Sequence, residues 1–272
     1  MNRYLVARPF LKWAGGKRQL LGEILGRLPG RIKTYYEPFL GGGAVFFALA
    51  AEGRVSRAVL SDVNDDLITV YRGVRDDVEG VIAALKRYRY DEEEFYRVRA
   101  QKPRSLIQRA ARVIYLNKTG YNGLYRVNRS GQFNVPFGRY KNPRICDEPN
   151  LRAASRVLQC AEIREADFEA VCRQARPGDA VYLDPPYLPV SSTARFADYD
   201  HHPFREAEHK RLAEALRELG QRRVLALLSN SDTEQTQRLY RGLKVEKVFA
   251  SRSINSNPEK RGPVQELLVR SL

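Results

Sequence analysis

The stretch Ala180–Tyr187, AVYLDPPY, decides how the rest of the chain is interpreted. Its apolar beginning predicts a buried strand. The two prolines after Asp184 end that strand, because proline cannot donate to a sheet ladder and restricts the residue before it. Open α/β sheets bind ligands at the carboxyl ends of their strands. A carboxylate, the rigid carbonyl of Pro185 and the ring of Tyr187 are therefore expected at a ligand site, although an ordinary strand-ending turn would also use Asp and Pro.

A second strand end carries glycines. Tyr35–Phe39 is predicted as a strand, and the glycine-rich turn after it lets a ligand approach the backbone at Gly41 and Gly43. The predicted strand Ala58–Asp62 ends in an acid about twenty residues beyond the glycines, a position suited to ribose hydroxyls. The same acid could instead cap the helix that follows. Phe46 replaces the third glycine of the dinucleotide fingerprint, which favours another nucleoside.

Further apolar runs predict an alternation of strands and helices. The remaining strands are predicted at Ala161–Arg164, Val224–Ser229, Val245–Ser251 and Val264–Val269. Helices are predicted at Arg18–Leu28, Val45–Ala51, Leu67–Leu85, Asp147–Cys160, Phe204–Leu219 and Thr233–Tyr240. The two stretches Leu188–His202 and Arg252–Gly262 are predicted as loops. This alternation indicates an α/β fold with a largely parallel sheet.

Composition limits the possible functions. The formal net charge is +15, and residues 70–160 hold 19 Lys and Arg against 9 Asp and Glu, a net charge of +10. Such an excess suits a polyanionic partner. The three cysteines and three histidines have no zinc-ligand spacing, so no metal site is expected. No window approaches the about 18 apolar residues of a membrane span, and the first ten residues lack a secretory pattern, so we expect a cytoplasmic protein without membrane contact.

The segment Asn117–Pro143, called here the recognition segment, mixes aromatic and cationic residues within loops. Turns are predicted near Asn122-Gly123 and Ser130-Gly131, with a hairpin around the second. Aromatic rings among Arg, Asn and Lys suit stacking on bases and hydrogen bonds to base edges. A solvated surface ribbon is the alternative interpretation, although so many Tyr and Phe residues disfavour it.

The order of these motifs resembles that of the Dam-type DNA adenine-N6 methyltransferases (D12 class, alpha group). The matching parts are KWAGGK at residues 12–17, EPFLGGG at residues 37–43, Asp62, the basic insert and DPPY at residues 184–187. The resemblance extends through GYNGLYR (residues 120–126) and FNVPFGRY (residues 133–140), so that it covers almost the whole chain. It implies a Rossmann-like sheet of S-adenosylmethionine-dependent methyltransferases with an inserted, mostly helical target-recognition domain. The catalytic domain would comprise residues 1–66 and 160–272, and the target-recognition domain residues 67–159.

The resemblance also implies the methyl donor, S-adenosylmethionine, with S-adenosylhomocysteine as the product and no metal. Lys17 would neutralise the methionine carboxylate, Asp62 would bind the ribose, and Asp167 would read the donor's adenine. The implied donor contacts are Trp13, Lys17, Phe39, Gly41, Gly43, Asp62, Asp167, Phe168 and Asp184.

The implied catalytic residues are Asp184, Pro185 and Tyr187. Two acceptors, the carboxylate and the proline carbonyl, could localise the lone pair of an adenine amine, and the tyrosine ring could stack on the base. Direct transfer from an activated methyl needs no covalent intermediate. Because the target atom lies inside a duplex, the adenine has to be flipped out.

By the same resemblance the target is double-stranded DNA, and the insert is similar to those that read GATC. Lys12 and Arg126 would contact guanines, while Tyr121 and Asn122 would fill the gap that the flipped base leaves. The implied DNA contacts are Lys12, Tyr121, Asn122, Leu124, Arg126, Asn134, Pro136 and Arg139, of which the leucine and the proline would contact the thymine methyl group. The chain is expected to act as a monomer.

The sequence leaves two other functions open. The first is an adenine-N6 methyltransferase for RNA or for another DNA sequence. The second is a DNA-binding relative without catalysis, although the presence of Lys17, Asp62 and Asp184 argues against it. The glycine spacing disfavours a P-loop or nicotinamide enzyme.

Overall fold

Seven strands form one sheet at the centre of the protein. The computed structural model describes residues 6–13, 15–17, 19–128, 130–188, 204–251 and 263–272. The strands are β1 Tyr35–Glu37, β2 Ala58–Asp62, β3 Ala161–Glu165, β4 Ala180–Leu183, β5 Leu225–Ser231, β6 Lys244–Ser251 and β7 Pro263–Arg270. Their order in the sheet is β3-β2-β1-β4-β5-β7-β6, with β7 antiparallel to both of its neighbours and the pairs from β3 to β5 parallel. The predicted α/β fold with a largely parallel, Rossmann-like sheet is confirmed.

Ten α-helices surround the sheet and form the insert in the described part of the chain. They are α1 Leu21–Arg27, α2 Ala44–Ala51, α3 Asp65–Asp76, α4 Val78–Leu85, α5 Glu92–Ala100, α6 Leu106–Thr119, α7 Glu148–Leu158, α8 Phe168–Cys172, α9 Glu206–Gln221 and α10 Glu234–Leu239. The central strands are buried on both faces, which is why they read as apolar runs in the sequence. Two apolar layers cover them, one built around Phe46 and Phe47 of α2 and the other around Leu212 and Leu216 of α9.

The strand order reverses between β1 and β4, which pair in parallel with each other. At such a switch point the loops after the two strands leave in opposite directions and open a crevice at their carboxyl ends. Strand β1 ends at Glu37, before the glycine turn, and β4 ends directly before Asp184. The sheet therefore brings the two sequence motifs singled out above to one edge.

The predicted single helix Leu67–Leu85 is wrong, because the chain breaks at Asp77. Its backbone (φ −149°, ψ 71°) is not helical, and its side chain accepts the N–H of Gly80 to cap the second helix, α4. Helix α3 extends along β3, where Arg72 and Arg75 donate to the carbonyls of Ile163 and Ala161.

The recognition segment contains less regular structure than predicted. Helix α6 includes its first three residues, and the predicted hairpin consists of a single isolated bridge between Val127 and Phe133. The predicted turns are present, with Asn122 (φ 53°) and Gly131 (φ 72°) in the left-handed region. A further bridge joins Gly120 to Phe137.

The proposed division at residues 66 and 67 falls within α3. The loops predicted at Leu188–His202 and Arg252–Gly262 lie, except for Leu188, outside the described residues. Among the helices that are described, none combines the length and the apolar character that crossing a membrane requires.

Candidate active site

Asp184 forms the centre of the site, at the carboxyl end of β4. The Nζ atom of Lys17 lies 2.7 Å from its Oδ1, and the hydroxyl of Ser229 donates to the same oxygen at 3.0 Å. The hydroxyl of Tyr182 lies 3.0 Å from that of Ser229. Both of these contacts use Oδ1, so that, among the described residues, Oδ2 is left to accept a hydrogen bond from a ligand.

Lys17 is buried, with 8% of its side chain exposed, against 21% for Asp184. Its ammonium also donates to the carbonyl of Gly15 at 2.7 Å and lies 4.6 Å from the centre of the Tyr187 ring. Burial raises the pKa of the Asp184 carboxyl, while Lys17 and the hydrogen bond from Ser229 act in the opposite direction. The cation thus compensates part of the cost of burying the carboxylate.

Strand β5 holds the turn that contains the two prolines. The side-chain carbonyl of Asn230 accepts the N–H of Leu188 at 3.4 Å, and the hydroxyl of Ser231 donates to the carbonyl of Leu188 at 2.8 Å. The hydroxyl of Tyr187 donates to Oε2 of Glu266, on β7, at 2.6 Å. Pro185 is buried, whereas Tyr187 is half-buried, so that one side of the tyrosine ring can meet a ligand.

The glycine turn after β1 is connected to Asp62 by a hydrogen bond from its backbone to the Asp62 side chain. The carboxylate of Asp62 accepts the N–H of Gly41 at 3.2 Å and that of Asn64 at 3.1 Å. Asn64, and not Asp62, caps the helix α3, because its side chain accepts the N–H of Leu67. The helix-cap interpretation of Asp62 is therefore wrong, and its carboxylate lies at the glycine turn.

Two of the glycines have positive φ and no space for a side chain. A Cβ atom on Gly41 (φ 46°) would lie 2.9 Å from the indole of Trp13, and one on Gly43 (φ 66°) would lie 2.8 Å from the hydroxyl of Tyr71. Trp13 also stacks on Tyr125 of the recognition segment, with ring centres 5.3 Å apart. The amino-terminal segment is thus packed between the glycine turn and the insert.

An aromatic cluster lies near the start of α8. Phe39 stacks on Phe168 with ring centres 5.4 Å apart, and Phe204 contacts both rings. Asp167 caps the helix by accepting the N–H of Glu169, and its carboxylate also pairs with Arg211 at 2.9 Å. Phe39 and Phe204 keep part of their surface exposed, as a stacking platform for a flat ligand requires.

A buried acid, Glu37, ends β1 beside this site. Burial raises the pKa of its carboxyl to about 8, and the nearby Asp184 and Asp62 act in the same direction. The hydroxyl of Tyr35 donates to it at 3.0 Å, which opposes the shift. Glu37 is therefore a carboxyl that stays largely protonated at neutral pH.

The predicted DNA-contacting residues lie on or beside the recognition segment. Tyr121 is 52% exposed, and its N–H donates to the carbonyl of Pro136 at 2.9 Å. Arg126 is exposed, and its Nε donates to the side-chain carbonyl of Asn134 at 2.7 Å. Leu124 is half-buried against the core, and Arg139 is exposed.

Lys12 joins the recognition segment from the amino-terminal side. Its N–H donates to the side chain of Asn117 at 2.8 Å, and its ammonium lies 4.6 Å from the centre of the Tyr140 ring. The amide of Asn117 donates in return to the carbonyls of Lys12 and Gly123, at 2.7 and 3.0 Å. A single buried side chain thereby fixes both stretches that are predicted to contact bases.

Sequence reasoning missed four residues that shape this site: Ser229, Glu266, Asn117 and Tyr125. Ser229 could have been found from the sheet order, because Leu183 and Leu228 are paired and the residues after them share one edge. The other three act across long sequence separations, for which the sequence carried no local signal. No group of three or more His, Cys, Asp or Glu side chains within the described ranges is placed to hold a metal ion.

Comparisons with known proteins show the family of this chain. The family model of the D12 class N6 adenine-specific DNA methyltransferases matches residues 13–254. The chain is 42% identical to the Type II methyltransferase M.MjaIII of Methanocaldococcus jannaschii over 96% of this chain and 98% of that one. It is 39% identical to the Type II methyltransferase M1.LlaDCHI of Lactococcus lactis subsp. cremoris and 38% identical to the DNA adenine methylase of Escherichia coli K12; each alignment covers 96% of this chain and 94% of the relative.

Proposed function

Since this chain belongs to the D12 class of N6 adenine-specific DNA methyltransferases, we propose that it methylates the adenine of GATC in double-stranded DNA with S-adenosylmethionine as donor. The observation that carries the proposal is the position of Asp184. Its carboxylate ends β4 at the switch point of the sheet, 2.7 Å from Lys17 and at the same edge as the glycine turn. The acceptor for an amine and the candidate donor site thus share one crevice.

The residues at this edge fit the donor chemically. Lys17 offers a cation for the methionine carboxylate, and Asp62 offers an acceptor for ribose hydroxyls. The partly exposed rings of Phe39 and Phe204 offer flat surfaces for the purine, while Phe168 is buried and supports them. The carboxylate of Asp167 already pairs with Arg211. It would therefore have to accept from the donor's adenine and from Arg211 at the same time. When bound, the donor supplies a methyl group that its sulfonium activates.

Asp184, Pro185 and Tyr187 act on the target base. The free oxygen of Asp184 and the carbonyl of Pro185 would accept the two amino hydrogens, which localises the nitrogen lone pair that otherwise delocalises into the ring. The Tyr187 ring would stack on the base, and its bond to Glu266 fixes its position. Preorganised acceptors of this kind lower the barrier because they need no rearrangement during the reaction.

The recognition segment would read the sequence and support base flipping. Arg126 is presented by Asn134, and Lys12 by Asn117 and Tyr140, in positions from which each could bond to guanine in the major groove. The exposed Tyr121, next to the left-handed Asn122, could occupy the space of the flipped adenine. We assign residues 67–159 to target recognition and the flanking parts to catalysis, in a monomer that acts in the cytoplasm.

Mapping methylated adenines in DNA exposed to the pure protein and the donor tests this proposal. Incorporation at GATC alone is expected, and duplexes with one altered base pair should lose it. Methylation at another DNA sequence, or of RNA in preference to DNA, would show that GATC is not the target. Tight duplex binding without transfer of labelled methyl would indicate a relative that binds DNA without catalysis.

A further inference from the structure

Arg211, on α9, connects that helix to the acids Asp167 and Glu169 at the start of α8. Its Nη2 donates to Oδ1 of Asp167 at 2.9 Å and to Oε2 of Glu169 at 2.6 Å. Its Nε donates to the same oxygen of Glu169 at 3.1 Å, and its guanidinium carbon lies 5.0 Å from the centre of the Phe168 ring. One planar cation therefore contacts three consecutive residues, 167–169.

These contacts fix an orientation more than they stabilise the fold. Arg211 lies next to the buried His209 and Leu212 of α9, and 42% of its side chain is exposed. An exposed ion pair contributes little to stability, because solvent screens it and the long side chain loses freedom. Three simultaneous contacts nevertheless leave the guanidinium one position, since its donors form a rigid fork.

The side chain that Arg211 orients is the carboxylate of Asp167. The N–H of Glu169 donates to Oδ1 of Asp167 at 3.0 Å, and Arg211 donates to the same oxygen. Within the described part of the chain both bonds end on Oδ1, so that the lone pairs of Oδ2 are left for a ligand. Glu169 is a second anchor for Arg211, and the cation therefore holds Asp167 in place instead of following its motion.

The Asp167 carboxylate adjoins the aromatic cluster around α8. Phe168, the next residue, stacks on Phe39, and Phe204 contacts both rings. Phe39 and Phe204 keep part of their surface exposed for a flat ligand. An adenine there carries an amino group that donates hydrogen bonds, whereas hypoxanthine carries a carbonyl oxygen in its place. A fixed carboxylate attracts the first group and repels the second, so it can select between the two purines.

We propose that Arg211 is a positioning residue that makes the donor site selective for adenine, because it holds the carboxylate of Asp167 ready for the amino group of the base. The inference rests on the proposed donor and on the proposed role of Asp167, and it is independent of the DNA sequence that is methylated. Arg211 acts through Asp167 and not on the methyl group. Its loss should therefore raise the KM for the donor and leave kcat at saturating donor unchanged.

The experiment measures by calorimetry the affinities for S-adenosylhomocysteine and for S-inosylhomocysteine, in which an oxo group replaces the amino group of the purine. The wild type should prefer the adenine compound by about 10²-fold, because the other compound loses a hydrogen bond to a charged acceptor. Arg211→Met keeps an unbranched apolar stem and should reduce this preference about five- to tenfold. Arg211→Lys should retain part of it, since an ammonium keeps the charge but not the planar fork.

Lys210→Met is the matched control, because Lys210 is the neighbouring cation of α9, is exposed and pairs with Glu206. It should change neither the preference nor the KM for the donor. Asp167→Ala should lose most of the preference, and Arg211→Met in that background should cause no further loss, because the arginine acts through the missing carboxylate.

Equal weakening of both compounds by Arg211→Met would overturn the inference, because the arginine would then support only the shape of the pocket. A further loss of preference when Arg211→Met is added to Asp167→Ala would also overturn it, since Arg211 would then contact the purine itself. An unchanged preference in Arg211→Met, in a protein that binds the donor and methylates DNA, would overturn the inference alone. A wild type that bound neither compound would overturn the proposed donor together with it.

Discussion

The edge of the sheet around Asp184 and the recognition segment place their polar groups in different ways. At the sheet edge, parallel strands fix the backbone, and the charged side chains are already paired, as Lys17 is with Asp184. In the recognition segment two isolated bridges replace strands, and side-chain bonds to the backbone from Asn117 and Tyr140 hold the loops. A reaction requires fixed distances, whereas reading DNA requires groups such as Arg126 that can exchange their partner for a base. Substitutions at the sheet edge should therefore change the rate of reaction, and substitutions in the recognition segment should change the choice of sequence.

The largest effect is expected where a charge acts at the sheet edge. Asp184→Asn keeps the shape of the side chain but removes the anion that pairs with Lys17 and that we propose as the acceptor for the target amine. We expect kcat to fall by at least about 10³-fold, with duplex affinity nearly unchanged, because a neutral amide stabilises the positive charge that develops on the amine nitrogen much less than a carboxylate does. Single-turnover methylation and duplex titration measure the two quantities.

The matched control for Asp184→Asn is Ser229→Ala, which removes a neutral donor to the same oxygen. We expect it to lower kcat by about tenfold, corresponding to one ordinary hydrogen bond. Equal losses in the two variants would mean that the charge of Asp184 is not what the reaction uses.

A pH effect on stability is expected from Glu37, whose pKa is raised to about 8 by burial. Between about pH 4.5 and pH 8 the folded protein keeps a proton that the unfolded chain releases, so the wild type loses stability as pH rises through this window. Glu37→Gln removes the proton exchange. Its free energy of unfolding should exceed that of the wild type by an amount on the order of 4 kcal/mol at pH 8 and match it near pH 4.5.

Urea unfolding at both pH values measures this difference. Glu266→Gln serves as the comparison at the same edge, since Glu266 is half-buried and bonded to Tyr187. If the extra stability of Glu37→Gln did not depend on pH, the Glu37 carboxyl of the wild type would not be the group that titrates.

The junction between the two regions depends on Asn117. Asn117→Leu removes the acceptor for the N–H of Lys12 and the donor to the carbonyls of Lys12 and Gly123, all in a buried place. Leaving buried backbone groups unpaired should lower the free energy of unfolding by about 2–3 kcal/mol. Asn117→Asp keeps the acceptor but turns a carboxylate oxygen toward the carbonyls of Lys12 and Gly123, so at neutral pH its loss should be at least as large. If Asn117→Leu weakened duplex binding without lowering the free energy of unfolding, the recognition segment would fold independently of the junction.

The central strands β2, β4 and β5 were predictable from the sequence because they are short, mostly apolar runs that end in or beside an Asp. A strand that is buried on both faces is apolar along its whole length, whichever strands it pairs with. Its sequence pattern can therefore be recognised without knowing the strand order. The pairing of Lys17 with Asp184 was not predictable, since it depends on where an amino-terminal loop crosses the sheet. The break at Asp77 was missed because helical periodicity continues through it, and only the capping bond to Gly80 marks two helices.

The recognition segment was harder to predict, and for a physical reason. Its turns follow from Asn122 and the glycines, which tolerate left-handed backbone. Its shape, however, comes from bonds between distant residues, such as the hydroxyl of Tyr90 donating to the carbonyl of Gly138. Neither periodicity nor composition encodes such contacts. The donor and DNA contacts of individual residues remain predictions.

Within the recognition segment, Arg126 should affect the choice of sequence more than the rate. Arg126→Ala removes the group proposed to bind guanine, and a bidentate arginine discriminates between bases by about 1–3 kcal/mol. The ratio of kcat/KM for GATC to that for a duplex altered at this guanine should fall by the corresponding 5- to 150-fold. Arg139→Ala is the control, because Arg139 is an exposed residue of the same segment to which no base is assigned. If it contacts the DNA backbone, its loss should weaken all duplexes alike. An unchanged ratio in Arg126→Ala would remove the arginine from sequence reading.

The smallest effect is expected from Asn134, which we expect to act through Arg126 rather than by the direct DNA contact that the resemblance implies. Its side-chain carbonyl accepts from Nε and its backbone carbonyl from Nη2, at 2.7 and 3.3 Å. Asn134→Ala leaves the second bond and frees the guanidinium to rotate, at a cost of about 0.5–1 kcal/mol. Discrimination at the guanine should therefore fall only two- to fivefold in competition assays, and Asn134→Ala should add nothing in the background of Arg126→Ala. An additive loss in the double variant would mean that Asn134 contacts DNA by itself. The two polar side chains of the recognition segment would then act on the DNA independently of each other.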